Sequence, residues 1–322
     1  MADAAGGRDP PRAAIVAVDV IIVTYNSAAS LGAAVSSARA CPQVGHIIVV
    51  DNASTDGSAD VGRQGGADEV IGSPENLGFA KAVNLGLRHT DAGLILLLNP
   101  DAHIDEACLT RLLDALAAHR GAAIAAPVLT DASGQLALGA VRFSTLINRV
   151  GMCLPLLGHM AALRPEYRFT QHIVSEGVVT PVESLWGAVM LLDGSFLRAV
   201  GGLDERFFLF SEDEDLCRQA REQGRSVLLV GGARAFHEGG ASSSDASLRE
   251  ARRLFAAYQL VEKWEGRRRA DLFRRGIAAA FHLREAAFAL AAFRMVRPGP
   301  GAADVPLTLN LFRFMVSRER AL

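Results

Sequence analysis

The feature that most constrains the fold is a pair of short, apolar, β-branched runs separated by one helical segment. The runs cover residues 18–23 and 46–50, and a helix is expected between them at 28–40. A strand, a helix and a strand at this spacing predict a βαβ unit with parallel strands and a right-handed crossover. Open α/β sheets bind ligands at the carboxyl ends of such strands. The polar turns after both runs therefore predict a ligand site at that edge.

The same alternation continues along the chain. Apolar runs predict further strands at 70–71, 93–98, 122–126, 186–192 and 226–230. Helices are expected between them at 81–88, 106–119 and 215–223. The run at 93–98 is apolar throughout, which is typical of a central strand buried on both faces. Residues 127–143 are expected to form a loop or hairpin.

The composition indicates a globular protein. The chain has 322 residues, of which 50% are hydrophobic and 21% charged, enough for one large core or two modest ones. A formal net charge of −2 gives no indication of a nucleic-acid partner. The 4 cysteines are scattered singly, which favours reduced thiols over a zinc site or disulfide framework. Residues 1–14 predict a disordered tail, and no apolar run is long enough to predict a membrane span.

The C-terminal part is expected to be helical and basic. From Lys263 to the end there are 12 Lys and Arg against 5 Asp and Glu. Helices are predicted at 248–265, 270–294 and 307–318. One of them carries an apolar stripe formed by Ile277, Phe281, Phe288, Ala292 and Met295. A basic amphipathic helix fits an anionic membrane surface. The alternative is a helix that packs on the domain or on a second subunit in a homodimer, and the sequence leaves both open.

The densest charge cluster is a run of four acids. Glu212, Asp213, Glu214 and Asp215 follow an aromatic run at 207–210, which is expected to be a strand. At helical spacing four consecutive acids cannot all face one way. Glu212 and Asp213 are therefore expected at the strand-to-helix corner, where an exposed base would sit. The alternative is a solvated acidic helix start.

Two other acids follow predicted strands. Asp51 ends the second strand and suits a hydrogen bond to a base or ribose, with a turn-forming role as the alternative. Asp101 follows the central strand, where a carboxylate is unfavourable unless it is paired or binds a metal. A helix N-cap is its alternative role. The amides at the start of the 81–88 helix, together with Lys81, could face a phosphate.

Two further segments have distinctive compositions, and the first of them is expected beside the substrate cleft. Residues 144–181 mix apolar and basic side chains with several prolines, and we interpret them as a variable insertion. Residues 238–247 are rich in Gly and Ser and predict a mobile flap.

Six motifs occur in order between about residues 18 and 237. They read VDVIIVTYN, VVDNASTDGS, ENLGFAKAVN, LLLNPDAHI, WGAVMLL and GGLDERFFLFSEDEDLCRQAREQG. Together they resemble glycosyltransferase family 2, whose members are inverting enzymes with the GT-A fold. The Asn-Pro-Asp form of the metal motif, together with GGLDERFF and the acidic cluster, is most similar to the rhamnosyltransferase branch, which includes an enzyme that puts rhamnose on a polyprenyl-diphosphate-linked GlcNAc. The resemblance implies an α/β GT-A domain: a Rossmann-like, mostly parallel sheet flanked by helices, with a C-terminal helical extension.

The resemblance also implies roles for individual residues on the donor side. A set of side chains would surround the nucleotide, from base to diphosphate: Thr24, Tyr25, Asn26, Asp51, Asn52, Asp56, Asn76, Gly78 and Lys81. Asn99 and Asp101 match the Asp-X-Asp positions, so Asp101 would hold Mg²⁺ or Mn²⁺, while Asn99 lowers the charge of the site. His237 matches a histidine that completes the metal site in some relatives, with a cap or surface role as the alternative.

On the acceptor side, the resemblance implies that Asp213 is the catalytic base, with Glu212 beside it. Trp186 and Gly187 would face the acceptor. The implied boundaries are a transferase domain at 15–240, divided near 126 into donor and acceptor halves, and a helical region at 241–322.

The implied function is inverting transfer of L-rhamnose from dTDP-L-rhamnose to a polyprenyl-diphosphate-linked sugar in cell-wall or surface polysaccharide assembly. The protein is expected to be cytoplasmic and peripheral on the inner face of the membrane. A hard metal would neutralise the leaving diphosphate, and one carboxylate would deprotonate the attacking hydroxyl. The alternatives are a UDP-hexose or UDP-galactofuranose donor, or a regulator that binds nucleotide sugars without catalysis.

Overall fold

The computed structural model describes residues 17–136, 140–143, 145–151, 153, 177–239, 246–292 and 305–319. The expected tail at 1–14 lies outside these residues, as do most of the insertion at 144–181 and most of the flap at 238–247. The strands are β1 (Val18–Thr24), β2 (Val44–Asp51), β3 (Glu69–Gly72), β4 (Leu94–Leu98), β5 (Ala102–His103), β6 (Ala122–Thr130), β7 (Ala140–Val141), β8 (Val179–Pro181), β9 (Ser184–Leu185), β10 (Val189–Asp193) and β11 (Ser226–His237). The helices are α1 (Ala28–Arg39), α2 (Ser58–Gln64), α3 (Phe79–Leu87), α4 (Glu106–Ala118), α5 (Leu146–Gly151), α6 (Gly194–Ala199), α7 (Glu212–Glu222), α8 (Ala246–Glu265), α9 (Arg267–Ala292) and α10 (Val305–Glu319).

A mostly parallel sheet forms the centre of the molecule, in the order β3-β2-β1-β4-β10-β6-β11-β5, with β8 also paired to β11. The first four strands of this order are parallel, and β6 is parallel to β11. β10 runs antiparallel between β4 and β6. The predicted βαβ unit is confirmed, because β1 and β2 pair in parallel around α1.

The core lies on both faces of this sheet, because successive side chains of a strand point to opposite faces. Val18, Val20 and Ile22 belong to one apolar cluster, which includes residues of α1 and α4. Ile21 and Val23 belong to the cluster on the other face, with residues of α3, α6 and α7. The central strands are therefore buried on both sides, as their continuous apolar sequences predict.

The C-terminal helices α8, α9 and α10 bury an apolar cluster of their own. Ile277 and Phe281 of the predicted stripe are both buried in it, beside residues of α8 and α10. Ile277 and Phe281 therefore pack against other helices of the protein, which was the predicted alternative to a stripe that faces a membrane. The side chains of the other three stripe residues lie outside the described part of the chain. No helix within the described ranges combines the length and apolar character that a membrane crossing requires.

Two strands are longer than the sequence predicted. β6 continues through Pro127 to Thr130, and β11 continues past Val230 to His237. The pairing of these two strands is irregular between Val230 and Arg234. Sheets tolerate a proline at a bulge. For this reason Pro127 does not end β6, and the glycines after Val230 do not end β11.

Three expected boundaries near the acids are wrong. The aromatic run at 207–210 forms bends rather than a strand, and α7 begins at Glu212 instead of 215, so that all four acids lie in its first turn. β10 begins at Val189, and Trp186 to Ala188 form a turn before it. Gly187 interrupts the apolar run, and interior glycines weaken strands.

Candidate active site

The carboxyl ends of β1 and β2 lie side by side. Thr24 is the register partner of Asp51, and the amide of Asn52 donates to the Thr24 carbonyl oxygen at 2.8 Å. Asp51 is 7% exposed. Thr24 is fully buried, and its hydroxyl has no hydrogen-bond partner among the described residues. Tyr25, the next residue, is 40% exposed, so the edge presents an aromatic side chain beside a nearly buried carboxylate.

Asn52 organises the loop before α3. Its Nδ2 donates to Asn76 Oδ1 at 3.0 Å and to the Gly78 carbonyl at 3.2 Å. Its Oδ1 accepts from the Leu77 amide at 2.8 Å. The Gly78 amide donates to Asn76 Oδ1, and the Phe79 amide donates to a carbonyl of the 207–210 run. The Leu77, Gly78 and Phe79 amides are therefore engaged within the protein. A phosphate contact by the later amides of this helix start and by the exposed Lys81 side chain stays a prediction.

Two residues of the expected donor set hold the loops after β1 and β2 together. Asn26 Oδ1 accepts from the Thr55 amide at 2.8 Å. Asp56 accepts from the amide of Ala28, at the start of α1, at 2.9 Å, and from the Ser58 amide at 3.0 Å. Both residues are exposed. Their side chains fix the shape of the loops after β1 and β2.

Asp101 and His237 meet at the next part of the edge. Because β5 pairs with the end of β11, His237 Nε2 lies 3.3 Å from Asp101 Oδ1 and 3.5 Å from Asn99 Nδ2. Asp101 is 5% exposed. Burial alone would raise the pKa of Asp101, but the hydrogen bond and charge of His237 outweigh it and lower that pKa. Asp101 is thus an ionised, nearly buried carboxylate beside one imidazole nitrogen.

This donor set fits a divalent cation that substrate oxygens would help to hold. Within the described ranges, no group of three or more His, Cys, Asp or Glu side chains has an arrangement that could hold a metal ion. Mg²⁺, however, is commonly held by one or two carboxylates together with substrate phosphates. Asp101 is the carboxylate that would hold such an ion, and His237 Nε2, 3.3 Å from it, would be a ligand only in its deprotonated form.

The acid pair lies at the first turn of α7. Asp213 Oδ2 accepts from the Gly187 amide at 3.0 Å, and Oδ1 accepts from the Glu214 amide at 2.7 Å. Glu212 is 8% exposed, and its Oε2 has no hydrogen-bond partner among the described residues. Asp213 is thus an oriented carboxylate that keeps some exposure, whereas Glu212 is enclosed.

Both carboxyl groups bind protons more tightly than usual. Burial, followed by the charge of Asp213, raises the pKa of Glu212 to about 8. Burial raises the pKa of Asp213 to about 6, although its two amide donors oppose the shift. At neutral pH Asp213 is mainly a carboxylate that can accept a proton, and Glu212 is mainly neutral.

Two hydrogen bonds connect the acid pair with the Asp101 site. The Gly187 amide bonds Asp213, and the next residue, Ala188, accepts from the Asn99 amide at 2.9 Å. The turn before β10 therefore lies between both groups. Trp186, at the start of this turn, is 39% exposed.

Backbone strain concentrates at this edge. Among the described residues, four non-glycine positions have positive φ: Asn26, Ala53, Phe210 and Ser211. The first two follow β1 and β2, and the last two precede the acids. Each such conformation costs of order 1–3 kcal/mol and is typical of functional sites, so its confinement to these loops supports a site here.

Three side chains that support the site were not predicted. Asn84 of α3 is bonded to both the amide and the carbonyl of Leu203 at 2.8 Å, which fixes the turn ahead of the acids. Lys263 and Trp264 of α8 both contact Asp215. These partners lie far from the acids in sequence, so no local pattern indicated them.

The fold belongs to a known class of transferase. A mannosyltransferase from Pyrobaculum calidifontis, solved with GDP-Man and Mn²⁺, matches with a TM-score of 0.57 at 15% identity, over 94% of this chain and 86% of that one. GalNAc-T7, solved with UDP, GalNAc and Mn²⁺, matches with a TM-score of 0.53 at 14% identity, over 88% and 59% of the two chains. The protein therefore has the GT-A fold of glycosyltransferases.

The family follows from the sequence. The profile described as Glycosyl transferase family 2 matches residues 19–144, and that of Glycosyl transferase family group 2 matches 94–315, more than half of the chain. The chain belongs to glycosyltransferase family 2. The N-acetylglucosaminyl-diphospho-decaprenol L-rhamnosyltransferase of Mycobacterium tuberculosis is 28% identical over 231 residues, 68% of this chain and 75% of that protein. The low-salt glycan biosynthesis hexosyltransferase Agl10 of Haloferax volcanii is 24% identical over 216 residues, 65% and 63% of the two.

Proposed function

We propose that this glycosyltransferase transfers L-rhamnose from dTDP-L-rhamnose, with inversion, to a hydroxyl of a polyprenyl-diphosphate-linked sugar. The similarity to the mycobacterial rhamnosyltransferase supports rhamnose as the transferred sugar and a lipid-diphosphate-linked sugar as the acceptor. The observation that carries the reaction is the oriented, half-buried carboxylate of Asp213, whose pKa is raised to about 6, connected through one turn to the Asp101–His237 pair.

In this proposal the donor lies along the carboxyl edge of the sheet, with the base near Asp51 and the diphosphate near Asp101 and Lys81. Asp101 and His237 hold a divalent metal, with Asn99 beside them. Such an ion neutralises charge on the leaving diphosphate when bound. The exposed ring of Trp186 and the backbone of Gly187 face the acceptor.

Asp213 takes the proton of the acceptor hydroxyl as that oxygen bonds to the anomeric carbon. The bond from the anomeric carbon to the diphosphate oxygen breaks on the opposite face, so the configuration inverts. The Gly187 and Glu214 amides keep the Asp213 carboxylate in one orientation. Glu212, neutral beside it, adds no second negative charge.

The setting proposed for this reaction is the cytoplasmic face of a membrane. A lipid-linked acceptor places the reacting hydroxyl near the bilayer. The exposed basic and apolar side chains of α9 and α10 support contact with an anionic surface.

The proposal is tested first by nucleotide binding and then by sugar transfer. Because a ligand that binds the native state raises its melting temperature, dTDP with Mg²⁺ or Mn²⁺ should raise the Tm more than UDP or GDP does. Purified protein should then move rhamnose from dTDP-rhamnose to a short-chain polyprenyl-diphosphate GlcNAc. A larger rise in Tm with UDP than with dTDP would contradict dTDP-L-rhamnose as the donor and favour a UDP-sugar. Nucleotide binding without transfer or donor hydrolysis would favour the regulator alternative.

A further inference from the structure

The helical region contacts the residues around the acid pair through one charged and one neutral hydrogen-bond donor, Lys263 and Trp264. Lys263 Nζ lies 2.7 Å from Asp204 Oδ2 and 2.8 Å from Asp215, and it thus joins two points on either side of the aromatic run. Trp264 Nε1 donates to Asp215 Oδ1 at 2.8 Å. Gln219, one turn further along α7, donates to the other oxygen of Asp215 at 2.7 Å. Asp215 is 0% exposed, so these donors take the place of water.

The same helix also packs against the aromatic run. Phe207 is fully buried and clusters with Ala256 and Leu260 of α8, with Phe210 and Trp264 beside them. α8 therefore contacts the aromatic run through apolar side chains and the last of the four acids, Asp215, through hydrogen bonds.

Asp215 links these contacts of α8 to the acid pair, Glu212 and Asp213. Its amide donates to the Ser211 carbonyl at 2.9 Å and so closes the first turn of α7, which contains Glu212 and Asp213. Phe210 and Ser211, directly ahead of that turn, both have positive φ. Such a backbone persists only where surrounding contacts impose it.

We propose that Lys263 and Trp264 are positioning residues for sugar transfer, which fix the first turn of α7, and thereby Asp213, by holding Asp215. The inference rests on the proposed function of Asp213. By this proposal α8 helps to orient the base, although Lys263 and Trp264 lie 48 and 49 residues from Asp215 in the sequence. In the proposed function the sugar donor lies along the carboxyl edge of the sheet, away from Lys263 and Trp264, so we expect a smaller effect on donor affinity than on kcat.

Lys263→Met and Trp264→Phe test the proposal, because each keeps the apolar body and removes the donor. A displacement of about 1 Å at a reacting group can lower a rate by about 10²-fold. We expect kcat for transfer to fall by about 10-fold or more, with the donor KM changed by less than about two-fold. Lys263→Arg keeps the charge and should recover part of kcat.

Two controls separate positioning from stability. Arg269→Met removes an exposed ion pair with Glu265 just beyond α8 and should leave kcat unchanged. Phe273→Leu weakens the apolar cluster of the helical region, where Phe273 is fully buried. It should lower the Tm with little change in kcat at a temperature well below the transition.

The outcomes are distinguishable. Wild-type protein without transferase activity would overturn the proposed function itself. Active wild type, with Lys263→Met and Trp264→Phe both folded at the assay temperature and at the wild-type kcat, would overturn the positioning role. A kcat that falls only in proportion to a lowered folded fraction, measured by circular dichroism at the assay temperature, would overturn that role as well.

Discussion

At the scale of single residues, the acid pair combines two carboxyl groups in different surroundings. Asp213→Asn keeps the shape of the side chain and removes the proton acceptor. We expect kcat to fall by about 10²-fold or more, with donor affinity nearly unchanged. The wild-type kcat should decline as the pH drops below about 6, where Asp213 becomes protonated. Equal activity of Asp213→Asn and wild type would place the base elsewhere.

Glu212 offers a matched comparison, because Gln imitates its neutral form. Its pKa is raised on folding to about 8, so the folded state holds the proton more tightly than the unfolded state. Its contribution to stability is therefore full below the unfolded value and is lost as the pH rises toward 8. We expect Glu212→Gln to retain most activity at neutral pH. Relative to wild type, it should gain about 4 kcal/mol of unfolding free energy between pH 5 and 9, since the pKa rises from 4.5 to about 8 and each unit corresponds to about 1.4 kcal/mol. A pH-independent difference in denaturant unfolding would contradict this.

At the scale of elements, the loop before α3 and the aromatic run at 207–210 are in direct contact at Gly78. It has a φ of +82°, and a Cβ there would overlap the carbonyl oxygen of Phe208. Gly78→Ala should therefore displace the aromatic run, lower stability by about 2–4 kcal/mol and reduce transfer. Gly66 is the matched control, with a φ of +95° and nothing near its Cβ position. Gly66→Ala should cost about 1–2 kcal/mol and leave transfer intact. If Gly78→Ala and Gly66→Ala changed the Tm and the transfer rate equally, the predicted overlap with Phe208 would be excluded.

Elements whose pattern is local were predictable from the sequence. The runs before Thr24 and Asp51 are continuous and apolar, so the strands and the edge they form followed directly. Pairing is not local, and the extension of β11 to His237 depends on a bulge opposite Pro127. The start of α7 was misplaced because a strained corner, not a cap, begins it.

The residues of the site were likewise predictable only where a local sequence pattern marks them. Asp51, Asp101 and Asp213 follow from strand ends and the family motif, and their catalytic roles stay predictions. The hydrogen bonds that engage the amides before α3 come from Asn52 and from the aromatic run, neither of which a helix-start pattern contains. Lys263 reaches Asp215 through tertiary packing alone.

At the scale of the whole molecule, the helical region has a face that the core does not cover. Its exposed large apolar side chains are Leu272, Leu283, Leu307 and Phe314. His282 Nε2 and Arg313 Nη2 lie 3.1 Å apart and connect α9 with α10. The guanidinium of Arg318 lies 5.7 Å from the Phe314 ring centre. Apolar side chains next to exposed arginines are typical of a helix that lies on an anionic bilayer.

Leu283 and Phe314 are 60% and 58% exposed, so replacing both with Ser removes apolar surface without opening the core. We expect the double variant to lose most of its sedimentation with vesicles rich in phosphatidylglycerol, and the wild type to be released by salt, because screening shortens the reach of arginine charges. Val178→Ser is the control, since Val178 is 44% exposed on the transferase domain, and it should bind like wild type. Wild type that never sediments with such vesicles would contradict membrane contact. If light scattering then shows a wild-type dimer that the double variant lacks, the face binds a second subunit, because the same apolar surface would be buried there.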